Sequence, residues 1–388
     1  MLKLASKVIR NLEQQQALIF LGLGSNLGNR FDNLQHALNY VFESVGRVQK
    51  ISPVYESPAQ GFEGPLFLNC VVSVFTHYKA TKVLRLIKEI ERKMGRESLA
   101  TSGYSSRIID IDLLAYNAQL KDTKALKLPH PSLANRDFVL APWADIAPDW
   151  KHPETKQTVA TLFEQLQQTQ VMALEKQSKW LRNPIQDFKV QAYNYLVIEG
   201  SIGAGKTSLA TQITSEIKGK LILERFKDNP FLPKFYKQPK RYAFALEMSF
   251  LADRYQQLLD DIHQLDLFKD CVVADYEAHK SLIFAGITLQ KEEFTLYQKM
   301  FLLMHQNLPK PDKYVFLYQD VKKLLAQIEK RGRSFEKDIK PDYLEKIQQA
   351  YLAYIKTLPP EKVQIIDVSA LDFVKNRADY IQIFKALF

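Results

Sequence analysis

Apolar residues in the first half of the chain form short runs separated by longer segments with helical spacing. Two segments, 31–44 and 80–94, repeat apolar residues as an amphipathic helix does. Four apolar runs have the length of strands, at 17–23, 47–56, 66–77 and 107–116. Because these strands and helices alternate, the pattern predicts a small α+β domain.

The second half of the chain has a different order of elements. A strand at 195–198 enters a glycine-rich turn, a helix follows at 208–217, and a second strand lies at 220–224. Long amphipathic helices come next, at 240–263 and 291–307. Three further strands are predicted at 271–275, 314–318 and 363–367. This alternation predicts a parallel sheet wrapped by helices.

A stretch rich in Gln and Lys, 157–194, separates the two halves. Leu162, Phe163 and Leu166 within it have helical spacing, which predicts a terminal helix followed by a linker. A length of 388 residues also suits two domains. We therefore predict an N-terminal extension at 1–16, a first domain at 17–175, a linker at 176–192 and a second domain at 193–388.

The composition indicates a soluble globular protein. Hydrophobic residues make up 46% of the chain and charged residues 25%, which supplies a core for each domain. No apolar stretch approaches the roughly 20 residues that span a bilayer, so we expect no membrane segment. Lys3, Lys7 and Arg10 precede the apolar run 17–21, but a polar stretch at 11–16 stands where a secretory signal would be apolar. We therefore expect no secretory signal.

Cysteine usage and net charge indicate the compartment and the partners. Cys70 and Cys271 lie inside apolar runs and suit a reducing compartment, so the cytoplasm is the expected location. The net charge of +10 favours polyanionic partners, either nucleotide phosphates or nucleic acid. Lys and Arg are dispersed among acidic residues without the motif of an RNA-binding module, so nucleic acid is the less expected partner.

The second half contains a complete phosphate-binding motif, G-x-x-x-x-G-K-[ST]. Its residues are Gly200, Ser201, Ile202, Gly203, Ala204, Gly205, Lys206 and Thr207. A predicted strand enters the motif and a helix leaves it, so backbone N–H groups converge on phosphate oxygens. Lys206 would contact the β- and γ-phosphates, and the Thr207 hydroxyl would bind one Mg2+. The motif predicts a nucleoside triphosphate site and leaves the reaction open.

Two further features of the second half point to phosphoryl transfer. Glu224 ends a predicted strand, at the sheet edge where parallel-sheet enzymes place their chemistry, although a helix cap or a surface glutamate would look the same. Lys330-Arg331-Gly332-Arg333 clusters guanidinium groups that suit a transferring phosphoryl group. A basic turn on a solvated helix is the alternative.

Residues 194–388 resemble the bacterial deoxynucleoside kinases, particularly the deoxyadenosine/deoxyguanosine branch. The resemblance rests on the phosphate-binding motif, Glu224, Asn229-Pro230-Phe231-Leu232, Phe235-Tyr236, Arg241-Tyr242-Ala243-Phe244, Lys280-Ser281-Leu282-Ile283-Phe284-Ala285 and Arg331-Gly332-Arg333. It implies an α/β P-loop kinase that uses ATP and pairs as a homodimer through long helices.

The resemblance also implies roles for single residues. Glu224 would be the general base for the sugar 5′-hydroxyl, and Tyr236 and Glu336 would hold the 3′-hydroxyl. Arg331 and Arg333 would be catalytic residues of a lid.

Two positions depart from the pattern of these kinases. Glu247 replaces a base-recognising Gln, and a carboxylate accepts hydrogen bonds only, which suits the N–H donors of guanine. Arg254 is on the same helical face and could donate to purine O6 or N7, so we expect a purine deoxynucleoside. An arginine that usually follows the third strand is missing, and Lys280 and Arg225 are candidates to replace it.

An acidic pair marks a second site, in the first half. In the predicted strand 107–116, Asp110 and Asp112 lie on one face and Ile109, Ile111 and Leu113 on the other. Two neighbouring carboxylates repel unless cations neutralise them, so Mg2+ carried by a nucleotide is a natural ligand. An edge strand with a solvated acidic face explains the spacing equally well.

Residues 17–166 resemble 6-hydroxymethyl-7,8-dihydropterin pyrophosphokinase, a ferredoxin-like α+β family of folate synthesis that transfers pyrophosphate from ATP. The resemblance rests on Gly24-Ser25-Asn26-Leu27-Gly28-Asn29, Tyr55-Glu56-Ser57-Pro58, Phe67-Leu68-Asn69, Arg107 with Asp110 and Asp112, Pro129-His130-Pro131 and Asn135-Arg136-Asp137-Phe138. The Trp-Gly-Pro of this family is replaced by Tyr104-Ser105-Ser106.

This second resemblance implies a metal site, a pterin site and an ATP site. Asp110 and Asp112 would bind two Mg2+ ions. Phe67 and Phe138 would stack on the pterin ring, and Asn69 would bond its polar edge. The residues at nucleotide-side positions would be Glu91, Arg96, Arg107, His130 and Arg136.

The two resemblances together predict a bifunctional transferase acting on small molecules. Three alternatives stay open at this point. The second half could hydrolyse nucleotides, one half could be a retired catalyst kept as a scaffold, or the basic balance could serve nucleic-acid binding.

Overall fold

The computed structural model divides the chain into two compact units. One ends at residue 188 and the other begins at residue 189. The residues that the structure describes are 16–96, 105–169, 173–225, 229–262, 271–306, 308–333, 336 and 339–388. The N-terminal extension predicted at 1–16 lies outside them except for its last residue.

The first unit is built on an antiparallel sheet that, among the described residues, has six strands. These are β1 (Ala17–Ser25), β2 (Arg47–Ile51), β3 (Tyr55–Ser57), β4 (Phe67–Thr76), β5 (Asp110–Tyr116) and β8 (Glu175–Lys176). Their order is β5-β1-β4-β3-β8, and β2 also pairs with β4. A separate two-stranded ribbon consists of β6 (Lys121–Asp122) and β7 (Lys127–Leu128).

Helices cover both faces of this sheet. They are α1 (Arg30–Ser44), α2 (Ala80–Lys93), α3 (Asp137–Ile146) and α4 (Val159–Thr169). On one face, Phe20 of β1 packs with Trp143 of α3 and Val159 of α4. Ile19 and Leu21 alternate with Phe20 along β1 and are also buried, so the opposite face is covered as well.

The predicted α+β fold of the first unit is confirmed, with one difference in its strands. The helices expected at 31–44 and 80–94 appear as α1 and α2. The strand expected at 47–56 is instead divided into β2 and β3. Pro53 lies in the gap, and because proline has no N–H to donate, it interrupts the ladder there.

Most of the segment predicted as a linker packs on the first unit. Within it, β8 pairs with β3, and the Gln177 N–H donates to the Val54 carbonyl at 2.8 Å. The Asn183 side chain donates to the Val48 carbonyl at 3.2 Å. Phe188 then contacts Phe42 of α1, with ring centroids 5.9 Å apart. The sheet of the first unit is therefore completed by this late segment.

The second unit contains a parallel sheet that, in the described part of the chain, has five strands. They are β9 (Tyr195–Gly200), β10 (Lys220–Ile222), β11 (Val272–Ala274), β12 (Lys313–Tyr318) and β13 (Val363–Asp367), in the order β10-β11-β9-β12-β13. All five were predicted from the sequence. Every residue of β9 is buried. Since β9 is the central strand, its carboxyl end places Gly200 in the middle of one sheet edge.

Eight helices of the described residues surround this sheet. They are α5 (Lys206–Ile217), α6 (Leu232–Lys237), α7 (Pro239–Ile262), α8 (Lys280–Thr288), α9 (Lys291–His305), α10 (Val321–Arg331), α11 (Pro341–Ile355) and α12 (Arg377–Leu387). Val197 of β9, Phe316 of β12 and Tyr351 of α11 belong to one buried core. Within the described ranges, no helix has the length and apolar character needed to cross a membrane.

Candidate active sites

The phosphate-binding loop forms a tight turn between β9 and α5. Gly203 and Gly205 have φ values of +89° and +90°, which residues with a Cβ rarely adopt. A Cβ on Gly205 would also come within 2.6 Å of the Phe373 ring. Ala204 is buried beneath the loop, and Ile202 packs against the core. The glycines therefore allow the main chain to close around a phosphate-sized ligand.

Lys206 and Ser201 supply hydrogen-bond donors at this loop. The Lys206 ammonium donates to the Gly200 and Ser201 carbonyls at 2.8 and 3.0 Å. Burial, together with the positive charge of Lys280, lowers the pKa of Lys206 to about 8. The Ser201 hydroxyl is buried without a hydrogen-bond partner among the described residues. Both groups suit phosphate oxygens.

Thr207 and Asp275 form a pair of oxygen ligands that fits Mg2+. The Thr207 hydroxyl donates to one Asp275 oxygen, and the other oxygen accepts the Glu224 N–H at 2.8 Å. Burial raises the pKa of Asp275. Mg2+ prefers such hard oxygen ligands, and when bound it would neutralise charge on the β- and γ-phosphates. Asp275 was not among the predicted site residues, although it directly follows β11 at the same sheet edge.

The Glu224 carboxylate is held between two cations. Arg254 donates to Oε1 from Nε at 3.0 Å and from Nη2 at 2.6 Å, and Lys280 donates to Oε2 at 2.6 Å. Burial alone would raise the pKa of Glu224, but the charges of Lys280 and Arg254 more than offset it and hold the pKa well below its usual value. Glu224 is therefore an ionised acceptor. Of the two candidates for the missing cation, Lys280 is the one that forms this ion pair.

Glu247 lines the same cavity as Glu224. Its carboxylate accepts a hydrogen bond from Thr288 at 2.9 Å, and the main-chain carbonyl of Glu247 accepts one from Tyr297 at 3.3 Å. Arg254, which was expected to donate to the base, lines this cavity too. Its guanidinium bonds Glu224 and, from Nη1, the Ser281 hydroxyl at 2.8 Å.

Glu336 joins the two arginines of the predicted lid. It forms an ion pair with Arg331, and Arg333 donates to it at 3.1 Å. Burial raises the pKa of the Tyr236 phenol, and the negative charge of Glu336 raises it further. Tyr236, Glu336 and both arginines line the cavity that contains Glu224 and Glu247. The residues predicted around the sugar are therefore brought together.

In the first unit, β5 presents Asp110 and Asp112 to a cluster of arginines. Arg96 and Arg107 contact Asp110 at 2.6 and 3.0 Å, and Arg136 contacts Asp112 at 3.2 Å. Burial would raise the pKa of Asp110, but Arg107 and Arg96 lower it below its usual value. Two carboxylates on one strand face fit divalent cations, which would neutralise a triphosphate when bound.

Two predicted nucleotide-side residues lie behind this cluster. Glu91 is buried, forms an ion pair with Arg96 and accepts the Ile111 N–H at 2.8 Å, so it fixes both Arg96 and the strand β5. Burial raises the pKa of Glu91. His130 accepts the Ser132 N–H at 3.2 Å, and burial lowers its pKa.

The predicted pterin residues line one cavity with the aspartates. Its walls include Phe67, Asn69, Phe138, Asp110, Asp112 and Arg136. The Asn69 amide donates to the Ser57 hydroxyl at 2.9 Å, and the Arg136 guanidinium lies 5.7 Å from the Phe138 ring centroid. Phe62 also reaches this cavity, edge-on to Phe67 with ring centroids 6.3 Å apart. Sequence reasoning missed Phe62 and Ser57.

Neither site relies on a preformed cage of metal ligands. Within the described residues, no group of three or more His, Cys, Asp or Glu side chains is arranged to hold a metal ion. The proposed metal positions have few carboxylates, Asp110 and Asp112 in the first unit and Asp275 in the second, so the remaining ligands of an ion would come from triphosphate and water. This is how Mg2+ is commonly bound in phosphoryl-transfer enzymes.

Comparison with known proteins assigns a family to each half. Residues 20–148 match the family described as 7,8-dihydro-6-hydroxymethylpterin-pyrophosphokinase, and residues 196–387 match the family described as deoxynucleoside kinase. Both are kinase families that use ATP and Mg2+. The matches favour two kinases over a nucleotide hydrolase or a retired half.

Two curated relatives agree with these matches, and one solved structure is also similar to part of the chain. A Bacillus subtilis deoxyguanosine kinase is 40% identical over 193 residues, which cover 49% of this chain and 93% of the relative. A Porphyromonas gingivalis 2-amino-4-hydroxy-6-hydroxymethyldihydropteridine pyrophosphokinase is 43% identical over 141 residues, 36% of this chain and 95% of the relative. A solved Mycoplasma deoxyadenosine kinase (M. mycoides) with bound dATP is 22% identical, with a TM-score of 0.44, over 50% of this chain and 98% of that one.

Both pockets thus lie in units whose families perform the chemistry that the residues suit. The chain belongs to the pterin pyrophosphokinases in its first half and to the deoxynucleoside kinases in its second, and it joins pterin pyrophosphorylation in folate synthesis to deoxynucleoside phosphorylation in one polypeptide.

Proposed function

We propose that the second unit phosphorylates the 5′-hydroxyl of a purine deoxynucleoside and that guanine is preferred to adenine. The observation that carries this proposal is the cavity with two carboxylates, the partly buried Glu224 and the buried Glu247, beside the phosphate-binding loop. An acceptor at Glu247 matches the N1–H and amino donors of guanine. The deoxyguanosine kinase relative supports the same substrate.

The sugar is positioned by the groups around Glu224. Because Glu224 is ionised, it accepts a hydrogen bond from the 5′-hydroxyl and orients it toward the γ-phosphate. Tyr236 and Glu336 hold the 3′-hydroxyl. Arg254 acts on the deoxynucleoside through its ion pair with Glu224, in addition to any contact with the base.

The triphosphate is bound by the loop Gly200–Thr207 and by the lid. Lys206 contacts the β- and γ-phosphates, and Arg331 and Arg333 stabilise the charge of the transferring group. Thr207 and Asp275 would hold one Mg2+ ion.

In the first unit we propose transfer of pyrophosphate from ATP to the hydroxymethyl group of the dihydropterin. Phe67 and Phe138 stack on the ring, and Asn69 bonds its polar edge. Asp110 and Asp112 would hold two Mg2+ ions, and the site aligns the pterin oxygen with the β-phosphorus. The nucleotide side consists of Arg96, Arg107, His130 and Arg136, with Glu91 fixing Arg96.

We propose that the kinase unit forms a homodimer through α9. Leu296, Met300 and Leu303 lie on one face of this helix and are 52%, 36% and 71% exposed. An apolar stripe of this kind suits the matching face of a second copy, as a twofold interface requires. The dimer would act on small molecules in the cytoplasm, where reducing conditions suit the buried cysteines Cys70 and Cys271.

Asp110→Ala should lower pterin pyrophosphokinase activity by about 100-fold or more, because the site loses a carboxylate that neutralises metal charge. Deoxynucleoside kinase activity of the same full-length protein should stay unchanged, which controls for folding and concentration. Asp122→Ala, at an exposed position of β6, is the matched control. Near-normal pyrophosphoryl transfer by Asp110→Ala would contradict the metal assignment.

Lys280→Met should lower the kcat of the kinase by about 10²–10⁴-fold, because Glu224 loses one of its two cations. Since Lys280 lowers the pKa of Glu224, the wild-type carboxylate stays ionised from pH 8 down to pH 5. In the variant this pKa rises, so its rate should fall as the pH drops through that range. Lys280→Arg should restore the wild-type profile. An unchanged kcat with the wild-type profile in Lys280→Met would refute the role of this lysine.

A competition among the four deoxynucleosides tests the base assignment. With full-length protein and ATP, deoxyguanosine and deoxyadenosine should each be phosphorylated in preference to thymidine and deoxycytidine, because Glu247 suits purine donors. The measurement is kcat/KM for each nucleoside at one pH. Preference for either pyrimidine would show the assignment to be wrong.

Leu303→Glu should convert a dimer to a monomer, because it places a charge in the apolar stripe of α9. Sedimentation velocity of the full-length protein at micromolar concentration measures the change. Leu120→Glu, at an apolar residue of the first unit that is 56% exposed, should leave the dimer intact. A wild-type protein that sediments as a monomer would rule out the proposed interface.

A further inference from the structure

Thr288 can bond Glu247 in two protonation states. Its hydroxyl oxygen lies 2.9 Å from Glu247 Oε1 and also 2.9 Å from the Phe284 carbonyl, one turn earlier in α8. A hydroxyl has a single proton to donate. When that proton goes to Glu247, Oε1 accepts it, either as a carboxylate oxygen or as the carbonyl oxygen of a carboxylic acid whose own proton is on Oε2 and free for a base. When it goes to Phe284, the hydroxyl lone pairs face Glu247 and can accept from a carboxylic acid that is protonated on Oε1.

The charges around Glu247 are close to balance. Arg254 on α7, Lys280 on α8 and Glu224 after β10 are the ionised groups that influence it, and Glu224 neutralises one of the two cations. Three phenols lie near it from other helices, Tyr236 on α6, Tyr297 on α9 and Tyr343 on α11.

These surroundings place the titration of Glu247 near neutrality. Glu247 is only 2% exposed, and burial raises the pKa of its side chain to about 7. The charge of Arg254 and the hydrogen bond from Thr288 limit this rise. Both forms of Glu247 are therefore populated near pH 7.

The two forms match different bases. Guanine presents two donors, N1–H and its amino group, which two carboxylate oxygens can accept. Adenine presents an acceptor at N1 beside an amino donor, which a carboxylic acid matches with its O–H and its carbonyl. The cavity walls Leu246, Phe250 and Phe284 are apolar, so a mismatched pair would leave a buried polar group without a partner.

We infer that Glu247 recognises both purines, guanine as a carboxylate and adenine as a carboxylic acid, so that its protonation sets the base preference of the kinase. This inference rests on the proposed purine deoxynucleoside kinase function. Such a device gives one site two specificities, because the preferred substrate changes with a single proton. A glutamine at this position would have one fixed donor and one fixed acceptor.

The test is the ratio of kcat/KM for deoxyguanosine to that for deoxyadenosine, measured with full-length protein from pH 6 to pH 8. Effects of pH on ATP or on the phosphoryl-transfer groups cancel in this ratio, and neither base titrates in the range. The ratio should rise with pH. If each base is bound by one protonation state only, the rise should be about tenfold per pH unit. Otherwise it should be at least about tenfold between pH 6 and pH 8.

Two variants separate this mechanism from a structural role of Glu247. Glu247→Gln should make the ratio independent of pH and shift it toward deoxyadenosine, because the amide cannot lose its donor. Thr288→Val removes the donor to the carboxylate, so the pKa of Glu247 should rise. The variant should therefore reach each value of the ratio at a higher pH than the wild type does. Pterin pyrophosphokinase activity of the same chain confirms that each variant is intact.

The outcomes distinguish this inference from the function on which it rests. A wild-type ratio that is flat from pH 6 to pH 8, with both purines phosphorylated, overturns the inference and leaves the proposed function standing. The same holds if Glu247→Gln keeps the wild-type pH dependence. Preference for thymidine or deoxycytidine overturns both.

Discussion

The kinase site depends on the ion pairs of Glu224 with Arg254 and Lys280. Arg254 and Lys280 are buried and Glu224 is partly buried, and they come from α7, from α8 and from the segment after β10, so one charge cluster fixes a strand edge and two helices relative to each other. Removing one partner of a buried pair typically costs about 3–5 kcal/mol, since the remaining charge is left uncompensated. The position of each cation is therefore tied to the position of the carboxylate that is proposed to face the sugar.

The pterin site likewise pairs its two aspartates with a larger number of cations. Asp110 and Asp112 stand on one strand face with Arg96, Arg107 and Arg136 around them. If divalent cations bind the aspartates, the arginines lose their carboxylate partners and can bind a triphosphate. Each group then exchanges one ionic partner for another. In both units, arginines of the proposed ATP site are thus paired with carboxylates of the protein.

Local sequence patterns predicted the fold well and the site in part. The five strands of the kinase sheet and the phosphate-binding loop follow from apolar runs and glycine spacing, which are properties of neighbouring residues. Asp275, Lys280 and Thr288 were missed or left open, because their partners lie 41 to 68 positions away and only the folded chain brings them together. The expected strand 47–56 was wrong because period-2 spacing does not register the effect of Pro53 on the ladder.

The pairing of β8 with β3 bears on how the first unit reaches its native state during synthesis. Until residues 175 and 176 have left the ribosome, β3 presents an open strand edge that other chains could extend. A segment of the chain that ended before residue 175 would leave this edge of β3 unpaired, although it would contain every residue proposed to contact the pterin.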